Sequence, residues 1–212
     1  WQFEKNIFSD TAYYFITAAG SEGARVTEAP TYEITNNIIS SYIARKVHKL
    51  DEVNLLGNSG RDWFEAYFKA GESRSYNFQT EGAVDTIKAF IKVVGRSDLA
   101  GAFEIYNNET LLGLISYEGI NTKSGSTYDL KGDIQNEIFK FLVNDGTTIL
   151  TLKLPVVSGY DVLIGYLDQI VLTYATDLVL HNGFMLFSNP LLEEDTITYE
   201  VISDEEIEVW DI

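Results

Sequence analysis

Residues 87–93 read Ile-Lys-Ala-Phe-Ile-Lys-Val, with both lysines on one parity and Ile87, Ala89, Ile91 and Val93 on the other. A repeat of two is what an extended chain shows when one face meets a core and the other meets water. The same alternation returns in Ile197-Thr198-Tyr199-Glu200-Val201. Turn formers stand between such runs. Asn144-Asp145-Gly146 separates residues 137–143 from residues 148–156, Asn107-Asn108 separates residues 103–106 from residues 111–117, and Gly20-Ser21-Glu22-Gly23 separates residues 13–18 from residues 24–27. Asn, Asp and Gly tolerate the positive backbone angles of tight turns, so each of the three predicts a hairpin. Many short strands, Gly-containing turns and only 3 prolines predict an all-β fold. The expected architecture is an antiparallel β-sandwich, jelly-roll-like, with at most one or two short helices.

Residues 57–68, Gly-Asn-Ser-Gly-Arg-Asp-Trp-Phe-Glu-Ala-Tyr-Phe, fit two periods. Ser59 with Asp62 approximates a helical capping box, which would set Phe64, Tyr67 and Phe68 on one stripe. A strand would instead place Trp63, Glu65 and Tyr67 on one side and Phe64, Ala66 and Phe68 on the other. The aromatics form either a wedge that fills one end of the sandwich or a platform on which sugar rings stack. Arg61, beside Trp63, is expected to be structural, holding a loop by its guanidinium or stacking on the indole.

At 212 residues with 45% hydrophobic content, the chain can bury roughly 70% of its unfolded surface and needs no staple to fold. Its 15 basic against 32 acidic residues give a formal net charge of −17. That field repels phosphate backbones, so no nucleic-acid partner is expected. The acidic runs at Glu193-Glu194-Asp195 and Ser203-Asp204-Glu205-Glu206-Ile207-Glu208 lack the fixed ligand offsets of a cation loop, and no metal is assigned to them. The chain has no cysteine, hence no disulfide, thiolate ligand or thiol nucleophile. No apolar stretch approaches the ~18 residues of a membrane span, so membrane insertion is not expected. His48 and His181 are the two imidazoles. Alternation in Arg45-Lys46-Val47-His48-Lys49 turns His48 outward, and His181 precedes a turn at Asn182-Gly183. Neither stands in a metal-ligand spacing. Ser158-Gly159 lacks the preceding Gly of a nucleophile elbow, and no Gly-rich phosphate loop opens a helix. No catalytic residue, metal or cofactor is therefore predicted within these residues.

The last residues read Glu208-Val209-Trp210-Asp211-Ile212, and the first is Trp1 rather than Met. Natural ends favour small or polar residues, so this chain is expected to be an excised domain, residues 1–212, cut within a longer protein. Residues 1–50 are left open as a small subdomain of their own, because nothing between Tyr32 and Leu50 marks a break.

Four stretches together resemble the region before the peptidase domain of PorU-type proteins, the gingipain-like cysteine-peptidase sortases of type IX secretion. They are residues 8–17 (FSDTAYYFIT), Asn54-Leu55-Leu56 followed by Ser59-Gly60-Arg61-Asp62-Trp63-Phe64, residues 165–174 (GYLDQIVLTY, with Asp168 in the family's Leu-Asp-x-Ile strand), and Val209-Trp210-Asp211-Ile212. Here Ala175-Thr176-Asp177 follow Tyr174, where basic residues are common in the family, so no shared basic surface is carried over at that point. The resemblance implies a parent at the cell surface or outer membrane, exported, that removes a sorting signal from secreted cargo. It implies a non-catalytic role for this part, with the family's catalytic Cys and His in a downstream peptidase domain. Ser59, Gly60, Arg61, Asp62, Trp63, Asp168, Trp210 and Asp211 are then structural motif residues. The implied partners are the downstream peptidase domain and secreted cargo or outer-membrane secretion components. The competing reading is a carbohydrate-binding jelly-roll module, for which a line of exposed aromatics across a concave face would speak.

Overall fold

The computed structural model describes residues 34, 36–54, 63–126, 128–143, 146–180, 183–187 and 197–209. Two sheets face each other. The strands, in chain order, are β1 (Ile38–Ile39), β2 (Ser41–His48), β3 (Val53–Asn54), β4 (Trp63–Phe64), β5 (Phe68–Lys69), β6 (Ser73–Gln79), β7 (Ala83–Ser97), β8 (Gly101–Asn107), β9 (Thr110–Tyr117), β10 (Asp133–Leu142), β11 (Thr147–Lys153), β12 (Leu163–Asp177) and β13 (Thr198–Tyr199). No helix occurs among the described residues. One sheet runs β10-β7-β12-β2, with β5 also on β12, and the other runs β6-β11-β8-β9. All pairs in these two sheets are antiparallel. From β6 to β12 the chain changes sheet at every connection except β8 to β9, the wrapping expected of a jelly roll.

Alternation explains the core. On β7, Ile87, Ala89, Ile91 and Val93 are fully buried, and on β12 their register partners include Leu167, Ile170 and Leu172. Each Ile, Val or Leu among them contributes roughly 1.5–3 kcal/mol, and Ala89 less. Phe103, Ile105, Leu150 and Leu152 close the core from the other sheet. Gly95 and Gly165 are register partners. A Cβ on Gly165 would lie 2.2 Å from the Phe103 ring, and one on Gly95 2.2 Å from the Tyr117 ring. The two glycines leave pits that these rings fill.

The 107–108 turn forms as expected: β8 pairs β9 around it, with Asn108 at φ 52°. The hairpin expected around residues 144–146 does not form. β10 pairs with β7, whereas β11 pairs with β6 and β8, so the turn joins the two sheets instead of two neighbours. Gly146, at φ 73°, reverses the chain as its type predicts, but the faces buried by each run send them to opposite layers. Residues 198–199 form a short parallel pair with β1. The expected hairpin of residues 13–27 lies outside the described residues.

The 57–68 ambiguity resolves toward extended chain for its described part, since β4 pairs with β3 and β5 with β12. Phe64 packs with Val94 and Tyr166 on the outer face of the five-stranded sheet. Phe68, four residues on, is fully buried between the sheets and meets Phe103 edge-on at 5.5 Å. Phe68 thus fills the sandwich as a wedge would, whereas Phe64 lies on the opposite face of the sheet, so the two rings do not share the one side that a continuous strand would give them.

Candidate functional site

The place beside β12 is shared by two segments. β2 pairs with residues 170–177 of β12, β5 pairs with Ile164 and Gly165, and between them the Glu65 amide donates to the Leu167 carbonyl at 3.0 Å. At this seam β12 carries a bulge between Leu167 and Gln169 relative to β7. The extra residue is Asp168, and it lets Leu167 and Ile170 both face the core although they are three apart.

Asp168 is buried on the outer side of the seam. Its carboxylate receives Lys49 Nζ at 2.5 Å and Lys92 Nζ at 2.6 Å. Lys49 also meets Asp51 at 3.1 Å. Burial pulls the Lys49 ammonium down, but the hydrogen bonds and charges of Asp168 and Asp51 outweigh it and hold the group above its ordinary value. Asp168 thus closes a gap where the ladder is interrupted.

The inner side is closed by a second carboxylate. Glu65 accepts from His48 Nε2 at 2.9 Å and from the Tyr76 hydroxyl at 3.1 Å, and Arg74 lies 3.5 Å away. The His48 ring lies against Tyr76 with centroids 4.7 Å apart and the planes tilted by 57°. The outward reading of His48 is corrected here: it shares parity with Ala44, which is buried in the core, and the exposed Lys46 on that parity disguises the inward face. Burial pushes the Glu65 carboxyl up, but His48, Tyr76 and Arg74 outweigh it and hold it below the ordinary carboxylate range. The Tyr76 phenol is driven far above its usual value by burial and by the Glu65 charge. Glu65 thus stays ionised and engaged, and the group braces the seam.

Arg74 completes the brace. Its Nη1 donates to the Ala66 carbonyl at 2.5 Å and its Nη2 to the Tyr67 carbonyl at 2.7 Å. Nε and Nη2 reach Glu72 at 2.9 and 2.7 Å. The guanidinium lies 4.3 Å over the Phe68 ring. Holding a loop by carbonyls while stacking on an aromatic is the role expected of Arg61; Arg74 performs it, and Arg61 lies outside the described residues, as do Ser59, Gly60, Asp62, Trp210 and Asp211. Trp63 is 39% exposed, and its carbonyl accepts from Lys49 at 3.5 Å. The structure thus brings two sequence-predicted residues, Trp63 and Asp168, to one seam, and adds Lys49, Glu65, His48, Arg74, Tyr76 and Lys92. Among the described residues no three His, Asp or Glu side chains converge as a metal site. The half-exposed rings Trp63 and Tyr67 sit at the seam rather than in a line across a sheet face, Tyr67 meeting Tyr166 edge-on at 6.3 Å.

No family model matches this chain, and no curated protein matches it. Among solved structures it is similar to dimeric latent PorU from Porphyromonas gingivalis, at 16% identity and a TM-score of 0.57, over 76% of this chain and 15% of that one. At that identity the likeness shows a shared fold. The chain thus corresponds to 15% of the length of that protein. It is also similar to the carbohydrate-binding module CBM36 in complex with calcium and xylotriose (12% identity, TM-score 0.35, 59% of this chain and 86% of that one). A third similarity is to the insecticidal delta-endotoxin Cry8Ea1 from Bacillus thuringiensis (12%, 0.43, 65% and 25%). The last two superpositions are too loose to carry an argument.

Proposed function

We propose that this chain is a non-catalytic β-sandwich module of a cell-surface, gingipain-like cysteine peptidase of type IX secretion, and that it packs on the peptidase domain or positions cargo. One observation carries the reading: the sandwich shares its fold with a stretch of PorU, the protein type that its four motifs resemble in order and spacing. Asp168 is held by Lys49 and Lys92, whereas Trp63 meets Lys49 only through its carbonyl. The acid–base pair at the seam, Glu65 with His48, is spent on Tyr76 and Arg74.

The test is the coding sequence that carries this chain. A domain with a paired Cys and His downstream supports the proposal, and a parent with no peptidase domain overturns it. The competing reading, sugar stacking on the half-exposed Trp63 and Tyr67, is checked by Trp fluorescence during titration with oligosaccharides. A saturable shift lost in Trp63→Ala would favour it.

A further inference from the structure

The two faces of the five-stranded sheet differ in charge as well as polarity. Register defines rows that cross the strands on the outer face. Ile138, Phe90, Val171 and Val47 are successive partners from β10 to β2. The next row, two residues along each strand, is Lys140, Lys88, Thr173 and Arg45. The row on the far side brings Asn136 against Lys92 and Lys92 against Gln169. In a chain with 32 acidic residues, the one carboxylate at these rows among the described residues is Asp168, and two lysines occupy it. Lys88, Lys140 and Arg45 are exposed, and no ion pair between described residues involves them. The apolar row is open at both ends, with Ile138 58% and Val47 41% exposed. A groove of about 1190 Å³ takes in Phe90 and Val171 of this row and Arg45 of the next, and Phe184, Leu186, Glu81 and Asp177 also line it. Gln169, buried in the groove lining, has an Oε1 with no hydrogen-bond partner.

We propose that this outer face docks an acidic polypeptide segment, one whose apolar ridge covers the Ile138–Phe90–Val171–Val47 row while its carboxylates meet Lys140, Lys88 and Arg45. Charge complementarity selects the occupant. Cations that form no ion pair among the described residues, beside an apolar strip, favour acidic partners at this face. The row is about 14 Å long at the usual strand spacing, and the cations lie roughly 7 Å to its side. An amphipathic helix of about ten residues spans that length, with flanking side chains at that offset. The proposal stands apart from the peptidase reading, which the parent sequence decides.

The probe is a helical peptide of about fourteen residues with a leucine stripe flanked by glutamates, titrated into the 212-residue chain while its backbone amide resonances are followed. Binding with shifts confined to outer-face positions of β2, β7, β10 and β12 is expected, weakened about tenfold by Lys88→Glu with Lys140→Glu and abolished when Ser replaces the leucines. Both lysines are exposed, and an unchanged melting temperature verifies the fold of the variant. Equal binding of a lysine-flanked peptide, shifts elsewhere, or an unaffected double variant would overturn the proposal. Competition by phosphatidylglycerol vesicles would reassign the face to a membrane surface. Self-association lost in the double variant would reassign it to a second copy of the chain. Either result sinks the polypeptide reading.

Discussion

The two sides of the β12 seam bury one carboxylate each and satisfy it differently. On the outer side Asp168 is held by two ammonium groups, so closure rests on formal charge. On the inner side Glu65 is held by an imidazole and a phenol that belong to the core wall, with Arg74 at a longer reach. A charge-closed site costs desolvation of three ions and is replaceable as a unit, whereas removing one member leaves the others uncompensated. A site closed by hydrogen bonds from packed rings is bound up with the packing itself.

The sharpest break is Asp168→Ala, which leaves Lys92 without its carboxylate and Lys49 with Asp51 alone; we expect a loss of about 3 kcal/mol in chemical denaturation. Making all three groups apolar together, Asp168→Leu with Lys49→Met and Lys92→Met, should recover most of that loss. Failure to recover would mean that Asp168 is needed for the bulge itself. Glu65→Ala should cost about 2 kcal/mol, because Tyr76 and His48 lose their acceptor, and no apolar swap at Glu65 alone should restore it. A smaller effect follows from pH. The Glu65 carboxyl titrates below its unfolded value, so its contribution is present above the ordinary carboxylate range of about 4.3 and is lost as pH falls through the lower folded value. Thermal melts between about pH 5 and pH 2 should therefore show a slope that is shallower in Glu65→Gln. An unchanged slope would move the acid sensitivity to other carboxylates. The smallest effect is expected at Trp63→Ala, under about 1 kcal/mol, since the ring is half-exposed and Lys49 meets its carbonyl rather than its side chain.

What the sequence reveals of this molecule divides along the range of the interaction. The β8–β9 hairpin is legible because Asn108 itself carries the backbone angle that the turn requires. The connection at residues 144–146 has equally good turn chemistry, yet a turn signal specifies reversal and not the layer that the next strand enters. Alternation in residues 87–93 marks the buried face of β7 correctly. In β2 the same argument inverts His48, because a period of two assigns parity and leaves open which parity is inward; buried Ala44 decides it. At the seam, Trp63 and Asp168 stand out locally, but Lys49 reaches Asp168 from 119 positions away. No spacing rule covers a contact that exists only after the sheet closes.

The paired pits at Gly95 and Gly165 have a consequence for motion. Phe103 and Tyr117 are almost wholly buried, and each sits where even a methyl group would clash, so the rings act as dowels that prevent one sheet from gliding along the other. A seated ring can rotate by half a turn about its axis only when the layers separate briefly, since its edges are wider than the socket. Ring rotation at these two positions thus becomes a clock for breathing of the sandwich. Slow rotation would give separate resonances for the two edges of the Phe103 ring, and their coalescence on warming would time the opening of the layers well below the melting transition.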